Sequence, residues 1–275
     1  MTAVLPFSDI ERRCISRALE ILEMHGVGPS GGSLSVMQTL IALYWHVARV
    51  DPARPDWPDR DRIIISKAHA VEAIYAILAE RGFFDSARLK EYMQFGSSFQ
   101  GHAERVTPGV EYSGGSLGQG LGFGAASAYA ARLRHQRYRV FVVLGDGECH
   151  EGSVWEAAMF GATHGLDNLY AIVDYNHYAD HDDVDTLARL KPLDGKWRQF
   201  GWETVFVENG NSIEAIVSAI DSLNTPGAPK CVVANTVKNF GVPLWEEGHY
   251  HMVSGRPLKD GLAQIRSSLN ANNTP

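Results

Sequence analysis

The chain begins with an amphipathic pattern. Between Ile10 and Leu22, apolar residues recur at helical spacing, which predicts a helix with one buried face. Ser8 and Glu11 stand just ahead of this stripe in the S-x-x-E arrangement of a capping box, which satisfies backbone N–H groups at a helix start. After a glycine-rich break, the pattern predicts a second helix over residues 33–48, which ends before a proline-containing loop.

Nearly unbroken apolar runs mark the strands. RVFVVLGDG and NLYAIVDYN are typical of strands that are buried on both faces of a parallel sheet. Shorter strands are predicted at 61–66, 203–207 and 230–236, and helical patterns such as 69–81 separate the strands along the chain. This alternation predicts an α/β fold with a doubly wound, mostly parallel sheet flanked by helices.

A helix dominated by small residues is predicted within YSGGSLGQGLGFGAASAYAARLR. Because small side chains let another backbone come close, we expect this helix to be central and tightly packed. No linker, repeat or low-complexity segment interrupts the pattern, so residues 1–275 are predicted to form a single domain, with a polar C-terminal tail from about residue 267.

Composition narrows the class of protein. The 275 residues are 45% apolar, enough for a large buried core, and carry a formal charge of −7 without a long basic stretch, which argues against nucleic-acid binding. Cys14, Cys149 and Cys231 are widely spaced, so we expect buried thiols in a reducing compartment. The N-terminus does not look like a signal peptide and no apolar stretch is long enough to span a membrane, so we expect a cytoplasmic protein.

Two strand ends carry oxygen ligands. Asp146 follows the first long apolar run and Asn176 ends the second, at a separation that one crossover helix can fill. If the strands are adjacent, both side chains face one site beyond the carboxyl edge of the sheet. A carboxylate, an amide oxygen and a backbone carbonyl suit Mg²⁺ or Ca²⁺. Gly147 permits close backbone approach, and the helix that follows offers N–H groups to an anion. The sequence therefore predicts a diphosphate–metal site.

Each of these residues alone has a simpler explanation. Gly-Asp-Gly is a common way for a chain to turn out of a strand, and Asn176 could be an ordinary strand-end cap. Their occurrence together, after two buried strands at crossover spacing, favours the functional interpretation.

The same segment carries a family resemblance. GDGECHEGSVWEAAMFGATHGLDNLYAIVDYN resembles the thiamine diphosphate motif, and GDGE-x-x-EG-x-VWEA is similar to the transketolase family, especially to its split N-terminal subunits. The resemblance continues in DRIIISKAHAVEAIYAILAERG, GHAE and GGSLGQGLG and covers most of residues 10–255. It implies thiamine diphosphate as cofactor, with Mg²⁺ or Ca²⁺, and a thiamine diphosphate-binding domain of the type that holds the cofactor's diphosphate.

The resemblance also implies residue roles around the diphosphate. Asp146 and Asn176 would bind the metal through their side chains, and Tyr178 through its backbone carbonyl. Gly147 and Glu148 would lie against the diphosphate.

Further contacts are implied for the cofactor's rings. Gly115, Ser116 and Leu117 occupy the stretch that lies against the thiazolium and aminopyrimidine in the family, which often has proline at the position of Ser116. Lys238 would help to hold the diphosphate, although a solvated lysine is equally consistent with the sequence.

Three histidines match family positions. His69, in SKAHA, would lie near the diphosphate and the reacting carbon, and His102, in GHAE, would contact the donor's hydroxyls. The third family histidine falls in a loop with two candidates, His249 and His251, of which we favour His251 for both cofactor binding and catalysis.

Glu151 resembles an acidic residue of a carboxylate network at the subunit interface, and we count it among the catalytic candidates; favourable interaction with a helix dipole explains it equally well. The largest departure from the family is Pro29, which stands where a histidine is usual and offers neither an N–H nor an ionisable group. His25 lies upstream, where interaction with the end of the first helix is its simplest role.

The family resemblance implies a two-component transketolase that transfers a two-carbon ketol unit from a ketose to an aldose. It also implies a separately encoded partner with the pyrimidine-binding domain, most simply in an α2β2 heterotetramer. Three alternatives stay open at this point: the α subunit of a 2-oxo acid dehydrogenase, a transketolase-like enzyme with a 2-oxo acid donor such as pyruvate, and a non-catalytic diphosphate-binding subunit. A nicotinamide-binding dehydrogenase is disfavoured because the N-terminal region has no G-x-G-x-x-G between strand and helix.

Overall fold

The computed structural model describes residues 8–271, with side chains described through Leu269. In chain order, its first half contains α1 (Asp9–His25), β1 (Val27–Gly28), α2 (Ser30–Ser35), α3 (Met37–Ile41) with a π-helical continuation (Ala42–Val47), β2 (Arg62–Ile65), α4 (Val71–Arg81), a 3₁₀ turn (Ser86–Glu91), α5 (Gln119–Leu133) and β3 (Val140–Gly145). Its second half contains a 3₁₀ turn (Gly147–His150), α6 (Gly152–Thr163), β4 (Leu169–Tyr175), β5 (Tyr178–Ala179), β6 (Asp182–Asp183), α7 (Val184–Leu187), α8 (Leu193–Gln199), β7 (Glu203–Val207), α9 (Ile213–Ser222), β8 (Lys230–Asn235), α10 (Pro243–Glu247), β9 (Val253–Ser254) and α11 (Gly255–Ala271).

Five parallel strands form the central sheet in the order β2-β3-β4-β8-β7. After β4 the chain goes out to the edge at β7 and returns to insert β8 between β7 and β4. The register pairs Gly145 with Asp174 and Tyr175 with Asn235, so the carboxyl ends of β3, β4 and β8 lie at one edge of the sheet. The loops that follow these strands therefore start close together.

Helices cover both faces of the sheet, each with its own apolar core. One core joins α1, α3, α4, α9 and α11 to the sheet, and the other joins α5, α6 and α8. Residues in β4 are buried throughout, as expected for a strand covered on both sides. The predicted fold class, a doubly wound parallel sheet flanked by helices, is confirmed.

The start of α1 forms as the sequence predicted. The Ser8 hydroxyl accepts a hydrogen bond from the backbone N–H of Glu11, and the Glu11 carboxylate accepts one from the backbone N–H of Ser8, which completes the capping box. The helix ends at Gly26, whose φ of 76° lies in the left-handed region. The three cysteines are buried and unpaired, as predicted.

Two details differ from the sequence predictions, and a third adds to them. Helix α5 is not central: it buries one face, with Leu121 and Ala125, against the sheet and exposes the opposite face. Helix α11 continues to Ala271, so the start of the predicted polar tail is helical, because a polar helix face needs no burial. Helix α4 begins at Val71, which leaves His69 in the preceding turn. No helix in residues 8–271 combines the length and apolar character needed to cross a bilayer.

Candidate active site

A cavity of about 610 Å³ opens beyond the carboxyl ends of β3 and β4. It collects ten of the residues selected from the sequence: His69, Gly115, Leu117, Asp146, Gly147, Glu148, Asn176, Tyr178, Lys238 and His251. These residues come from six separate segments of the chain. The sheet order, rather than proximity in sequence, brings them to one site.

Asp146 and Asn176 lie at the ends of neighbouring strands, an arrangement that the crossover spacing allowed. One carboxylate oxygen of Asp146 accepts a hydrogen bond from the backbone N–H of His177 at 2.5 Å, directly beside Asn176, and the other accepts from Gly147 at 2.8 Å. The side-chain oxygen of Asn176 accepts from the backbone N–H of Tyr178 at 3.1 Å. Both side chains therefore line the same end of the cavity.

The electrostatics of this edge favour a cation. Burial, with the neighbouring Asp174 carboxylate as the next cause, raises the pKa of Asp146 to about 7. Four carboxylates line the cavity but only two ammonium groups, those of Lys67 and Lys238. Within residues 8–271, no cluster of three His, Cys, Asp or Glu side chains forms a metal site. A cation here would thus depend on mixed ligands: one carboxylate, one amide oxygen and backbone oxygen.

Gly147 and Glu148 shape the wall next to Asp146. A Cβ atom on Gly147 would lie 2.8 Å from the Cβ of Ala179, so only glycine lets the two loops approach this closely. The Glu148 carboxylate accepts hydrogen bonds from the backbone N–H groups of Gly118 at 2.8 Å and Gly145 at 3.2 Å, and from the Ser66 hydroxyl. Glu148 therefore ties the start of α5 to the end of β3, while its burial raises the pKa of its carboxyl.

Two histidine rings stand side by side in the cavity. The ring centroids of His69 and His251 are 5.4 Å apart. Burial, followed by the nearby charge of Lys67, lowers the pKa of His69 to about 3, and burial also lowers the pKa of His251. Both rings are therefore neutral near pH 7. His249 instead stacks on Tyr178, with centroids 4.2 Å apart, and does not line the cavity.

The loops after β4 and β8 are joined across the cavity mouth. The Lys238 ammonium donates to the backbone carbonyl of Asp180, and the Tyr178 hydroxyl lies 3.0 Å from Nε2 of His249. His177, Asp180 and His249 all have positive φ, a conformation that non-glycine residues rarely adopt. Such strain is held in place by surrounding contacts and is typical of functional loops.

Three selected residues do not line the cavity. His102 is exposed, with its ring about 4.0 Å from the position of a Cβ on Gly115, so it lies beside a residue of the cavity lining. Ser116 is exposed between two lining residues, Gly115 and Leu117. Glu151 is exposed at the N-cap of α6, where its side chain makes no capping hydrogen bond.

The departure at Pro29 is not compensated by His25. Pro29 is buried at the N-cap of α2. His25 is exposed in the last turn of α1, and its ring contacts the edge of Tyr92. His25 is absent from the cavity lining, which agrees with the helix-end role that the sequence made simplest.

Sequence reasoning missed several lining residues, notably Gly32, Lys67 and Leu187. Lys67 sits inside the quoted motif SKAHA, so its place in that motif was the available signal. Gly32 follows Pro29 in the glycine-rich break, and a Cβ there would lie 3.1 Å from Nε2 of His69. For Leu187, on the short helix α7, the sequence offers no comparable signal.

Comparisons with known proteins agree with this geometry. The chain matches the model of the transketolase thiamine diphosphate binding domain over residues 12–275. It is 38% identical, over 83% of each chain, to 6-deoxy-6-sulfo-D-fructose transketolase subunit SqwG from Clostridium sp. (strain MSTE9). It is 37% identical to an apulose-4-phosphate transketolase subunit from Phocaeicola vulgatus, over 92% of this chain and 91% of the relative.

Comparisons with solved structures also find transketolases. Transketolase from Leishmania mexicana superposes with a TM-score of 0.84 at 28% identity, over 96% of this chain and 42% of the other. A transketolase mutant from Pichia stipitis gives 0.85 at 28% identity, over 95% of this chain and 41% of the other. The chain belongs to the transketolase family and contains its thiamine diphosphate binding domain. The predicted resemblance is confirmed. It spans less than half the length of these solved chains.

Proposed function

We propose that this chain is the thiamine diphosphate-binding subunit of a two-component transketolase, which moves a two-carbon ketol unit from a ketose donor to an aldose acceptor. The observation that carries the proposal is the placement of Asp146 and Asn176 at adjacent strand ends in one cavity. The named relatives are transketolase subunits, one for a sulfonated ketose and one for a ketose phosphate, which favours sugars over 2-oxo acids as substrates.

The cavity suits a divalent cation and a diphosphate. Asp146 and Asn176 would bind Mg²⁺ or Ca²⁺ through side-chain oxygens, and Tyr178 through its backbone carbonyl. The cation would offset the excess of carboxylates, which otherwise repels a diphosphate. Gly147 leaves room for close approach, and Lys238 adds positive charge. Glu148 would act by fixing the glycine loops, because both its oxygens already accept hydrogen bonds from the protein.

Other lining residues would serve the reacting end of the cofactor. When bound, thiamine diphosphate supplies a nucleophilic carbon and an electron sink that no side chain provides. Gly115 and Leu117 would line its rings, with Ser116 contributing backbone only. Neutral His69 and His251 each carry one ring N–H donor and one acceptor nitrogen, so each would form a hydrogen bond at the reacting end and take part in its proton transfers.

His102 and Glu151 are proposed to act at the rim. His102 lies beside Gly115, where it would meet donor hydroxyls that project beyond the cofactor. Glu151 is solvent-exposed in this chain, so another polypeptide can cover it. We therefore propose that Glu151 is an interface residue that links paired sites.

A partner subunit is part of the proposal. Relatives that this chain covers over 83% to 98% of their length are named as transketolase subunits, which supports a second polypeptide. Helices α5 and α6 pack against each other and leave large apolar side chains in solvent: Phe123, Leu133, Met159 and Phe160. Large apolar side chains exposed on two adjacent helices support a protein interface at this face. We propose that the chain forms a single domain and assembles with its partner as α2β2. Its three unpaired thiols favour a reducing compartment, so we propose that it works in the cytoplasm.

The test is reconstitution with the product of a neighbouring reading frame that encodes a pyrimidine-binding domain. We expect the purified chain alone to show negligible turnover, and the mixture with thiamine diphosphate and Mg²⁺ to convert a ketose and an aldose. Strong activity from the chain alone would refute the two-component claim. Release of CO₂ from pyruvate at a rate equal to or above ketol transfer would favour the 2-oxo acid alternative.

A further inference from the structure

Lys67 is a buried cation in the wall of the cavity. It lies in the turn between β2 and α4, two residues before His69, and its side chain is only 2% exposed. Its ammonium forms an ion pair with Asp174, which is fully buried near the end of β4. Burying a charge is costly unless partners or ligands compensate for its lost hydration, so the position of Lys67 demands an explanation.

The ammonium of Lys67 is only partly satisfied. Among the residues that the structure describes, its one hydrogen-bond partner is the Asp174 carboxylate. An ammonium has three N–H donors, so two remain for whatever enters the cavity. The Lys67 nitrogen lies 3.4 Å from the position of a Cβ on Gly32, and Nε2 of His69 lies 3.1 Å from the same point. Both groups therefore converge on one wall of the cavity.

A second buried lysine shows the contrast. Lys230, at the opposite end of the sheet in β8, donates to the backbone carbonyls of Asp167, Thr225 and Ala228. Its three donors are thus used by the protein itself, as expected of a structural lysine. Lys67 is equally buried but has unused donors facing a cavity.

Asp174, the ion-pair partner of Lys67, is also linked by hydrogen bonds to the candidate metal ligand Asn176. The Asp174 oxygen that binds Lys67 accepts a hydrogen bond from the Ser35 hydroxyl at 2.6 Å, and the other oxygen accepts one from Thr236. The Ser35 oxygen in turn accepts from the side-chain amide of Asn176 at 3.3 Å. This network fixes the ammonium on the same side of the cavity as Asn176, where an anionic group bound to the cation would lie.

We propose that Lys67 is a binding residue for the diphosphate group, with its two unused N–H donors directed at phosphate oxygens and Asp174 holding the ammonium in place. The proposal rests on the proposed function, because it needs a diphosphate in the cavity. It assigns part of the binding energy to a residue that the sequence motifs did not single out. It also gives a reason for a charged side chain beside His69, where an apolar residue would be cheaper to bury.

The experiment uses the full chain and inorganic pyrophosphate with Mg²⁺, measured by titration calorimetry. Replacing Lys67 with methionine keeps the length of the side chain and removes its donors. We expect K67M to weaken pyrophosphate binding about tenfold or more, as for loss of a charge-assisted hydrogen bond. Because K67M leaves Asp174 without its counter-charge, K67M/D174N serves as the variant that restores neutrality. K230M is the matched control, and its affinity should equal that of the wild-type chain.

The outcomes separate the two claims. Wild-type binding that D146A abolishes and K67M weakens supports both the cavity assignment and the role of Lys67. If K67M and K67M/D174N bind Mg²⁺-pyrophosphate as tightly as the wild-type chain while D146A does not bind it, only the role of Lys67 is overturned. Lys67 is then a counter-ion for Asp174. Equal losses in K67M and K230M would also overturn it, because the effect would then follow from burial in general. A wild-type chain that does not bind Mg²⁺-pyrophosphate contradicts both.

Discussion

His69 and His251 meet in the cavity with their ring centroids 5.4 Å apart, although they lie far apart in the sequence. His69 follows β2 at one edge of the sheet, whereas His251 lies in the loop that begins after β8. Loss of water around both rings lowers both pKa values, and the adjacent lysines reinforce the effect. The pair is thus held neutral at the pH at which proton transfer would be required.

The first prediction concerns the state of His69. With a pKa of about 3, its imidazole should remain neutral from pH 5 to pH 8, so its ring proton resonances should not shift over that range in the isolated chain. Spectra of H69Q identify the resonances. A midpoint between pH 6 and 7 for His69 would show that the cavity is more hydrated than its geometry indicates.

The second prediction concerns the cation. D146A removes the buried carboxylate, and N176A removes the amide oxygen beside it, so each variant should lose at least about tenfold in affinity for thiamine diphosphate with Mg²⁺. Calorimetry or quenching of intrinsic tryptophan fluorescence measures the change. The control is D260A, an exposed carboxylate on α11 that makes a surface ion pair with Arg256.

If D146A and N176A bind the coenzyme as tightly as D260A does, the diphosphate–metal assignment is wrong. Loss in only one of the two would mean that the strand ends do not share a ligand, in spite of the hydrogen bond from His177 to Asp146.

The sequence predicted that two candidate ligands would lie together where the motif and the sheet coincide. Asp146 and Asn176 could be expected together because two buried apolar runs at crossover spacing are commonly neighbours in a parallel sheet, as β3 and β4 are. The insertion of β8 between β4 and β7 could not be predicted, because strand order depends on long-range packing rather than on local pattern. Lys67 was missed for a related reason: its partner Asp174 lies far along the chain, and only the folded sheet shows that the pair is buried.

The small residues of α5 illustrate the same limit. Their size predicted close contact with another backbone, and one face of the helix does pack closely: a Cβ on Gly124 would lie 2.4 Å from a methyl group of Val142. The pattern could not show that the other face, with Phe123, is left in solvent. A sequence records which residues are suited to burial, but not whether the same chain buries them.

The third prediction tests that exposed face. F123D and M159D, on α5 and α6, place charges where both side chains are now about half exposed, at 41% and 50%. The isolated chain should tolerate both, with changes in the free energy of unfolding within about 0.5 kcal/mol, as is usual for surface positions. Association with the partner should weaken by at least about tenfold, because an unpaired charge would be buried at the interface.

Analytical ultracentrifugation or pull-down with the tagged partner measures this association. The control is M24D, since Met24 is similarly exposed, at 54%, on α1 on the other face of the sheet. Equal association of the partner with F123D, M159D and M24D would place the interface elsewhere.

The last prediction concerns Glu72, a fully buried carboxyl on α4 outside the cavity lining. One of its oxygens accepts a hydrogen bond from the Ser33 hydroxyl at 2.6 Å, and the other has no hydrogen-bond partner among the described residues. Burial raises its pKa from 4.5 to about 7. Since the folded chain holds this proton more tightly than the unfolded chain, the contribution of Glu72 to stability is complete below pH 4.5 and is lost as the pH rises through 7.

E72Q keeps the shape and removes the charge, so it should raise the free energy of unfolding at pH 8 by roughly 1–3 kcal/mol and change it little at pH 5. Urea unfolding at the two pH values measures the difference, with exposed E156Q as control. If E72Q gives the same change at both pH values, the carboxyl is not protonated in the folded chain, and a water or cation must occupy the space beside its unpaired oxygen.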